Sequence, residues 1–192
     1  VLRLVGLAVS FMGLGLDYSL LKEASKTGTN VFSSALAFEL VLLTAVSPLV
    51  FLIGVNLYGT NLNLLMALGI ALMLLNGFQL VSWNTALGLL QSRVVFKYDS
   101  IAALLRIPLI ILLLTLGLGA VGLVTATIIQ QVITVAGLTI FCYRHVGLGL
   151  IDLNRLKNLL RTGLSNFPAK ISRITENNLS VVLLAAATSD PS

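Results

Sequence analysis

Charge is what this chain has least of. Only 10% of its 192 residues are Asp, Glu, Lys or Arg, while 57% are hydrophobic. A soluble domain of this length cannot cover so much apolar side chain, so several membrane spans are the class left. Cysteine is nearly absent too. Cys142 stands alone, which excludes a disulfide within the chain and a cysteine metal site. The one histidine, His145, has no cysteine or carboxylate spaced to share a metal with it, and it reads as a solvated loop residue. There is no phosphate-cradling glycine loop with its Lys and Ser/Thr, and no zinc-protease helix motif. With no catalytic constellation left, the chain is expected not to be an enzyme and to use neither cofactor nor metal. Acids are fewer than bases, seven against twelve, for a net charge of +5. In a soluble protein that excess would raise nucleic acid binding. Here the basic residues cluster in alternate loops, so the expected partner is the lipid bilayer and no nucleic acid is expected. The chain begins at Val1, shows no signal peptide, and reads as an internal piece of a longer protein.

Six apolar segments are present. Segment one runs from about Val1 to Tyr18, apolar apart from Arg3, and leads into a tail with Lys22 and Lys26. Segment two, Phe32 to Val55, carries Glu39 near one end and Pro48 near the other. Asn56 to Asn63 is an uncharged turn. Segment three, Leu64 to about Leu90, is long for one span. Gln91 to Asp99 reads as a loop carrying Arg93 and Lys97. Segment four, Ser100 to Leu118, holds Arg106 beside Ile107 and Pro108. A tight turn, Gly117 to Gly122, leads into segment five, Val121 to Tyr143, with Gln130 and Gln131. Segment six runs from Ser165 to about Ala187. Pro48 and Pro108 are each expected to kink their helix. The fold class is all-α, a polytopic membrane helix bundle of about six transmembrane helices.

The stretch Tyr143 to Asn177 holds six of the twelve Lys and Arg residues. Its first part, Arg144 to Arg161, is too polar for lipid, and its basic excess places it on the cytoplasmic face. Lys22, Lys26, Arg93, Lys97, Arg144, Arg155, Lys157 and Arg161 then all lie on one side. The opposite loops hold neither Lys nor Arg. The chain is therefore expected to be a multi-pass protein of the cytoplasmic membrane with its basic loops cytoplasmic. Leu153, Leu156, Leu159 and Leu160 alternate with Arg155, Lys157 and Arg161. That pattern allows an interfacial helix with its apolar face in the headgroup layer, and a plain connector helix is the simpler reading.

Charges left inside the spans are the functional clue, because they are costly there and mark cavities or transport paths. In segment six, Asn166, Lys170, Arg173, Asn177 and Ser180 recur at helical spacing and share one face. Glu176 follows Arg173 by one turn and can pair with it. Pro168 falls in the first turn, where its missing amide is tolerated. Lys170 and Arg173 either line a wet cavity or snorkel to the headgroups. Arg106, about two turns into segment four, and Arg3, at the outer end of segment one, face the same choice. Together Arg3, Arg106, Lys170 and Arg173 would make a cationic interior. Such a lining suits an anionic substrate such as a lipid-linked phosphate or pyrophosphate. Asn76, Gln79 and Trp83 share a face of segment three. They could contact a sugar, with the indole as a stacking platform, but interhelical packing with hydrogen bonds is the preferred reading.

The order of these features resembles the polysaccharide flippase family of the multidrug/oligosaccharidyl-lipid/polysaccharide exporter superfamily. The run from Ala86 to Val135, ALGLLQSRVVFKYDSIAALLRIPLIILLLTLGLGAVGLVTATIIQQVITV, carries the resemblance. So does K-x-L-L-R-x-G-L-x-x-x-P from Lys157 to Pro168, which opens the family's seventh span, and GLGLDYSLLKEAS from Gly13 to Ser25, which is similar to the end of its second. The resemblance implies a two-lobed transporter of which this chain covers spans two to seven, about half. Residues 1–143 would be most of an N-terminal lobe, 144–164 a cytoplasmic basic loop with an amphipathic helix, and 165–192 the first helix of the second lobe. It implies transport of a lipid-linked oligosaccharide or polysaccharide precursor by alternating access. A polysaccharide polymerase or assembly proteins are further candidate partners. Two alternatives remain: a multidrug or cation antiporter of the same superfamily, which would want interior carboxylates such as Glu39 and Glu176, and a non-transporting scaffold subunit of a polysaccharide-assembly complex.

Overall fold

A computed structural model of the chain describes residues 16–27, 31–58, 63–147 and 149–188. These form six α-helices and, among the described residues, no strand: α1 (Leu16–Thr27), α2 (Val31–Tyr58), α3 (Asn63–Gly88), α4 (Ser92–Thr115), α5 (Gly119–Val146) and α6 (Leu153–Thr188). Long apolar runs can satisfy their backbone groups inside a membrane only by bonding within the segment, so they become helices. Among the described residues, four stretches are long and apolar enough to cross: Val31–Ile53, Asn63–Gly88, Ser92–Thr115 and Gly119–Val146. The protein is thus an all-helical membrane bundle. The other two expected crossings fall on segment one, most of which lies outside the described residues, and on α6, which is not apolar enough to qualify over its described length.

The structure corrects three boundaries. The expected loop from Gln91 to Asp99 is helical from Ser92 onward, and the real connection is the turn at Leu89–Gln91. Its amides bond back to the end of α3, with Gln91 N donating to Ala86 O at 3.1 Å and Leu90 N to Leu87 O at 2.9 Å. Leu90 takes the left-handed conformation (φ 59°) that usually falls to glycine in such a stop. The second correction concerns Pro168, which lies in the interior of α6 and not in a first turn. The surface helix and segment six are one continuous helix, so the expected boundary at 164/165 falls within it. The third is His145, which sits in the last turn of α5 and not in a loop. Its Nδ1 lies 2.9 Å from Phe141 O, and its ring stacks on Phe141 at 4.0 Å. The helices also continue through Pro48 and Pro108. The α4–α5 turn falls where expected but closes sooner, because α5 already begins at Gly119. Gly117 (φ 78°) and Gly119 (φ 48°) supply positive φ, and Leu118 N bonds to Leu113 O at 3.2 Å.

Helix α3 is central, packed by α1, α2 and α5, while α4 lies mainly against α5 and α6 against α1 and α2. Interhelical contacts fix the directions. Asn76 meets Gln131 and Ser82 meets Thr139, so α3 and α5 run parallel. Tyr98 lies against Gly137 and Leu113 against Gly122, so α4 and α5 form an antiparallel hairpin. One core gathers Leu20, Phe32, Ala35, Val81, Ala86, Val95, Leu138, Cys142 and Leu159, drawing on all six helices. A smaller cluster, Leu43, Val50 and Met73, continues it between α2 and α3.

Leu159 corrects the headgroup reading of the amphipathic stretch. It is 1% exposed within the core and Leu160 packs against it, so this part of the face is buried in protein, as the connector reading expects, while Leu153 stays 73% exposed. The start of α6 is held by Asp152. Its carboxylate accepts the amides of Asn154 at 2.9 Å and Arg155 at 3.2 Å, and pairs with Arg155 Nε at 3.3 Å. Its own amide donates to Ser34 Oγ at 3.0 Å, which ties α6 to the first turn of α2.

Candidate functional site: polar and ionisable groups inside the bundle

Most polar side chains within the spans are spent on structure. Asn84, Thr85, Thr125 and Thr127 each donate to the carbonyl one turn earlier in their own helix, at 2.8–2.9 Å. Such bonds let a hydroxyl or amide sit in an apolar helix without an orphaned donor. Between α3 and α5 a polar seam remains. Gln131 Nε2 donates to Asn76 Oδ1 at 2.8 Å, and Asn76 Nδ2 bonds in turn to Leu72 O at 2.8 Å. Ser82 and Thr139 hydroxyls are 3.0 Å apart, and the buried Cys142 thiol reaches Ser82 O at 3.4 Å. These bonds lock the parallel pair in register.

The trio expected on α3 divides accordingly. Asn76 belongs to the seam, and Trp83 packs against the main core, so both follow the packing reading. Gln79 is partly buried and makes no hydrogen bond to another described residue.

Among the described residues, one Glu and one Arg are embedded in the four apolar spans. Glu39 is 1% exposed in the α2–α3 contact. It fits there because Gly77 faces it: a Cβ at Gly77 would lie 2.8 Å from Glu39 Oε1 and 2.6 Å from Leu43 Cδ1. Arg106 is partly buried on α4, with its Nε fully enclosed and without a hydrogen-bond acceptor among the described residues. Because α4 begins at Ser92, Arg106 is about four turns into its helix, and the first two of these carry Arg93, Lys97 and Asp99, so it lies about two turns beyond the charged end. For Glu39, a lone acid in so apolar a run was the available signal, but the glycine that receives it is 38 positions away.

The remaining candidates lie outside what is described. Arg3 precedes the described residues. Lys170, Arg173, Glu176 and Asn177 belong to α6 by backbone, but their side chains are not described, and neither is the proposed Arg173–Glu176 pair.

Charge is distributed along the bundle with strong polarity. Lys22, Lys26, Arg93, Lys97, Arg144, Lys157 and Arg161 are exposed and surround the end that holds the α3–α4 turn and the α5–α6 link. The end formed by the α4–α5 turn carries no charged residue among those described. Large apolar side chains remain exposed along the spans, Val41, Leu52, Leu64 and Leu104 among them, each more than half exposed. An apolar belt of that kind above a charged rim is the surface of a protein immersed in lipid.

The fold and these groups define a polytopic helical membrane protein with ionisable side chains enclosed among its spans. A family comparison takes this further. The chain belongs to the polysaccharide biosynthesis protein family, whose model matches residues 1–191. This membership agrees with the resemblance drawn from the sequence and places the chain in polysaccharide synthesis or export. No curated protein and no solved structure matches it.

Proposed function

We propose that the protein moves a lipid-linked oligosaccharide or polysaccharide precursor across the cytoplasmic membrane by alternating access of two lobes, this chain forming most of one lobe and the first helix of the next. The observation that carries the reading is the presence of Arg106 and Glu39 inside apolar spans, in a member of a polysaccharide biosynthesis family. A scaffold gains nothing from ionisable groups at that depth, whereas a transport path needs them. The basic end faces the cytoplasm, by the Lys/Arg rule. The polar face of α6, with Asn166, Lys170, Arg173 and Asn177, lines the path between the lobes. A polysaccharide polymerase or assembly proteins receive the product.

One observation favours a second reading. The enclosed carboxyl of Glu39 is what a cation antiporter of the same superfamily would use. Vesicles containing the full-length protein separate these readings. Time-dependent flipping of a fluorescent lipid-linked sugar, above empty vesicles, is expected. Movement of a cationic dye down an opposing proton gradient, with no flipping, would favour the antiporter. Neither activity would leave the scaffold.

A further inference from the structure

The end of the bundle away from the basic rim closes with a turn that has almost no polar side chain. From Ile107 to Val124, through the end of α4, the turn and the start of α5, the sequence is IPLIILLLTLGLGAVGLV. Its one polar side chain is Thr115, and that hydroxyl donates to Leu112 O at 2.8 Å. The α2–α3 connection differs, with Asn56, Thr60, Asn61 and Asn63. Polar clusters of that kind mark a loop in water. The backbone of the α4–α5 turn is largely satisfied from within. The amides of Leu116, Gly117 and Leu118 donate to Leu112 O, Leu114 O and Leu113 O at 3.0–3.2 Å. What remains for outside partners is the opening of α5, which no side chain caps.

The depth of this turn follows from the register of the helices. α3 and α5 run parallel, and Asn76 meets Gln131. Asn63 and Leu118 precede that pair by the same number of residues, so they are level. α3 has 26 residues and is about 39 Å long, against about 30 Å of hydrocarbon and about 40–45 Å with headgroups. Its exposed first residue, Asn63, therefore stands in the headgroup layer, and Leu118 stands at the same height. Around it, Leu114, Leu116, Leu118 and Leu123 are 45%, 66%, 44% and 42% exposed. Gly122 lets the hairpin close beneath them, because a Cβ there would meet the Cβ atoms of Leu113 and Leu118 at 3.0 and 3.1 Å.

We infer that the α4–α5 turn is an interfacial anchor. Leu116 and Leu118 insert into the acyl boundary of the leaflet opposite the basic rim, and the uncapped opening of α5 meets the headgroups and their water. The chemistry of the patch favours lipid over a protein partner. Protein interfaces carry aromatic, Met and Arg side chains at their core, with about one hydrogen bond per 100–200 Å². The run from Ile107 to Val124 has no aromatic, no Met and no Arg, and its single hydroxyl is already engaged. An acyl boundary asks only for apolar surface about 5–10 Å deep. The anchor holds the hairpin at one depth. It does so whether or not the protein transports, so it goes beyond the proposed function.

The test uses the full-length protein in phosphatidylcholine vesicles, with any cysteine outside these 192 residues replaced by serine. A nitroxide label is attached in separate variants, Leu116→Cys, Leu118→Cys and Arg93→Cys. Its collisions with oxygen, which concentrates in hydrocarbon, are compared with its collisions with a water-soluble nickel complex. Oxygen is expected to exceed nickel severalfold at the two turn positions. At Arg93, on the exposed start of α4, nickel should exceed oxygen. Nickel exceeding oxygen at either turn position puts the turn in water and overturns the anchor. Weak collision with both reagents there means that protein covers the turn, and overturns the assignment to lipid. If the labelled variants do not fold, the unsubstituted protein serves, in vesicles containing phosphatidylcholine with a diazirine near the top of its acyl chain. Photolysis should attach this lipid to the peptide that contains Leu116 and Leu118. Adducts on the flanks of α4 and α5 with none in the turn would refute insertion.

Discussion

Single residues decide how closely these helices approach. Gly77 is the clearest case, because the space it leaves is filled by Glu39 and Leu43 of the facing helix. Putting a side chain there forces both out of a packed seam. Gly77→Val is expected to destabilise the protein by about 1–3 kcal/mol, the usual cost of overpacking. Thermal unfolding in detergent micelles measures it, and an unchanged midpoint would mean that Glu39 can swing aside freely. Glu39→Gln keeps the volume and removes the ionisable carboxyl. It should leave that midpoint nearly unchanged while reducing flipping, if the carboxyl serves transport and not packing alone. Equal, undiminished flipping in Glu39→Gln would make Glu39 a purely structural residue.

At the scale of the element, α6 depends on how it starts. Asp152 satisfies two amides of the first turn and reaches Ser34 of α2 through its own amide. Asp152→Ala should cost about 1 kcal/mol, the worth of an N-cap, and the loss should be local. Faster amide exchange confined to the first turns of α6 would report it; uniform exchange across the bundle would argue against a local role. Asp152 also illustrates what the sequence made legible. The four long spans stood out because each is one unbroken apolar run. The ends did not, because hydropathy marks where lipid stops and not where a helix stops. Arg93 and Lys97 are polar enough to leave the bilayer and still lie in α4. Pro168 looked like a starting residue, yet it removes only one backbone bond from a long helix, which α6 carries in its interior. The site was less legible than the fold. Arg106 was visible as a charge in an apolar run. The partnership of Asn76 with Gln131 joins residues 55 positions apart and left no local pattern.

For the whole molecule, the charged end and the uncharged end set a testable sidedness. A cysteine introduced at Asn158, on the exposed side of α6, should react with a membrane-impermeant maleimide only from the cytoplasmic side, and one at Thr60 only from the other. Labelling of both from the same side would refute the orientation. Such an experiment ordinarily begins by removing native thiols, and within these 192 residues that step is unnecessary. Cys142 is the chain's single cysteine, it is 0% exposed, and its sulfur is engaged with the Ser82 carbonyl. A reagent confined to water cannot reach it. These 192 residues are therefore already a silent background for thiol chemistry. Every introduced cysteine reports its own position, and the buried seam between α3 and α5 keeps its hydrogen bonds while the map is made.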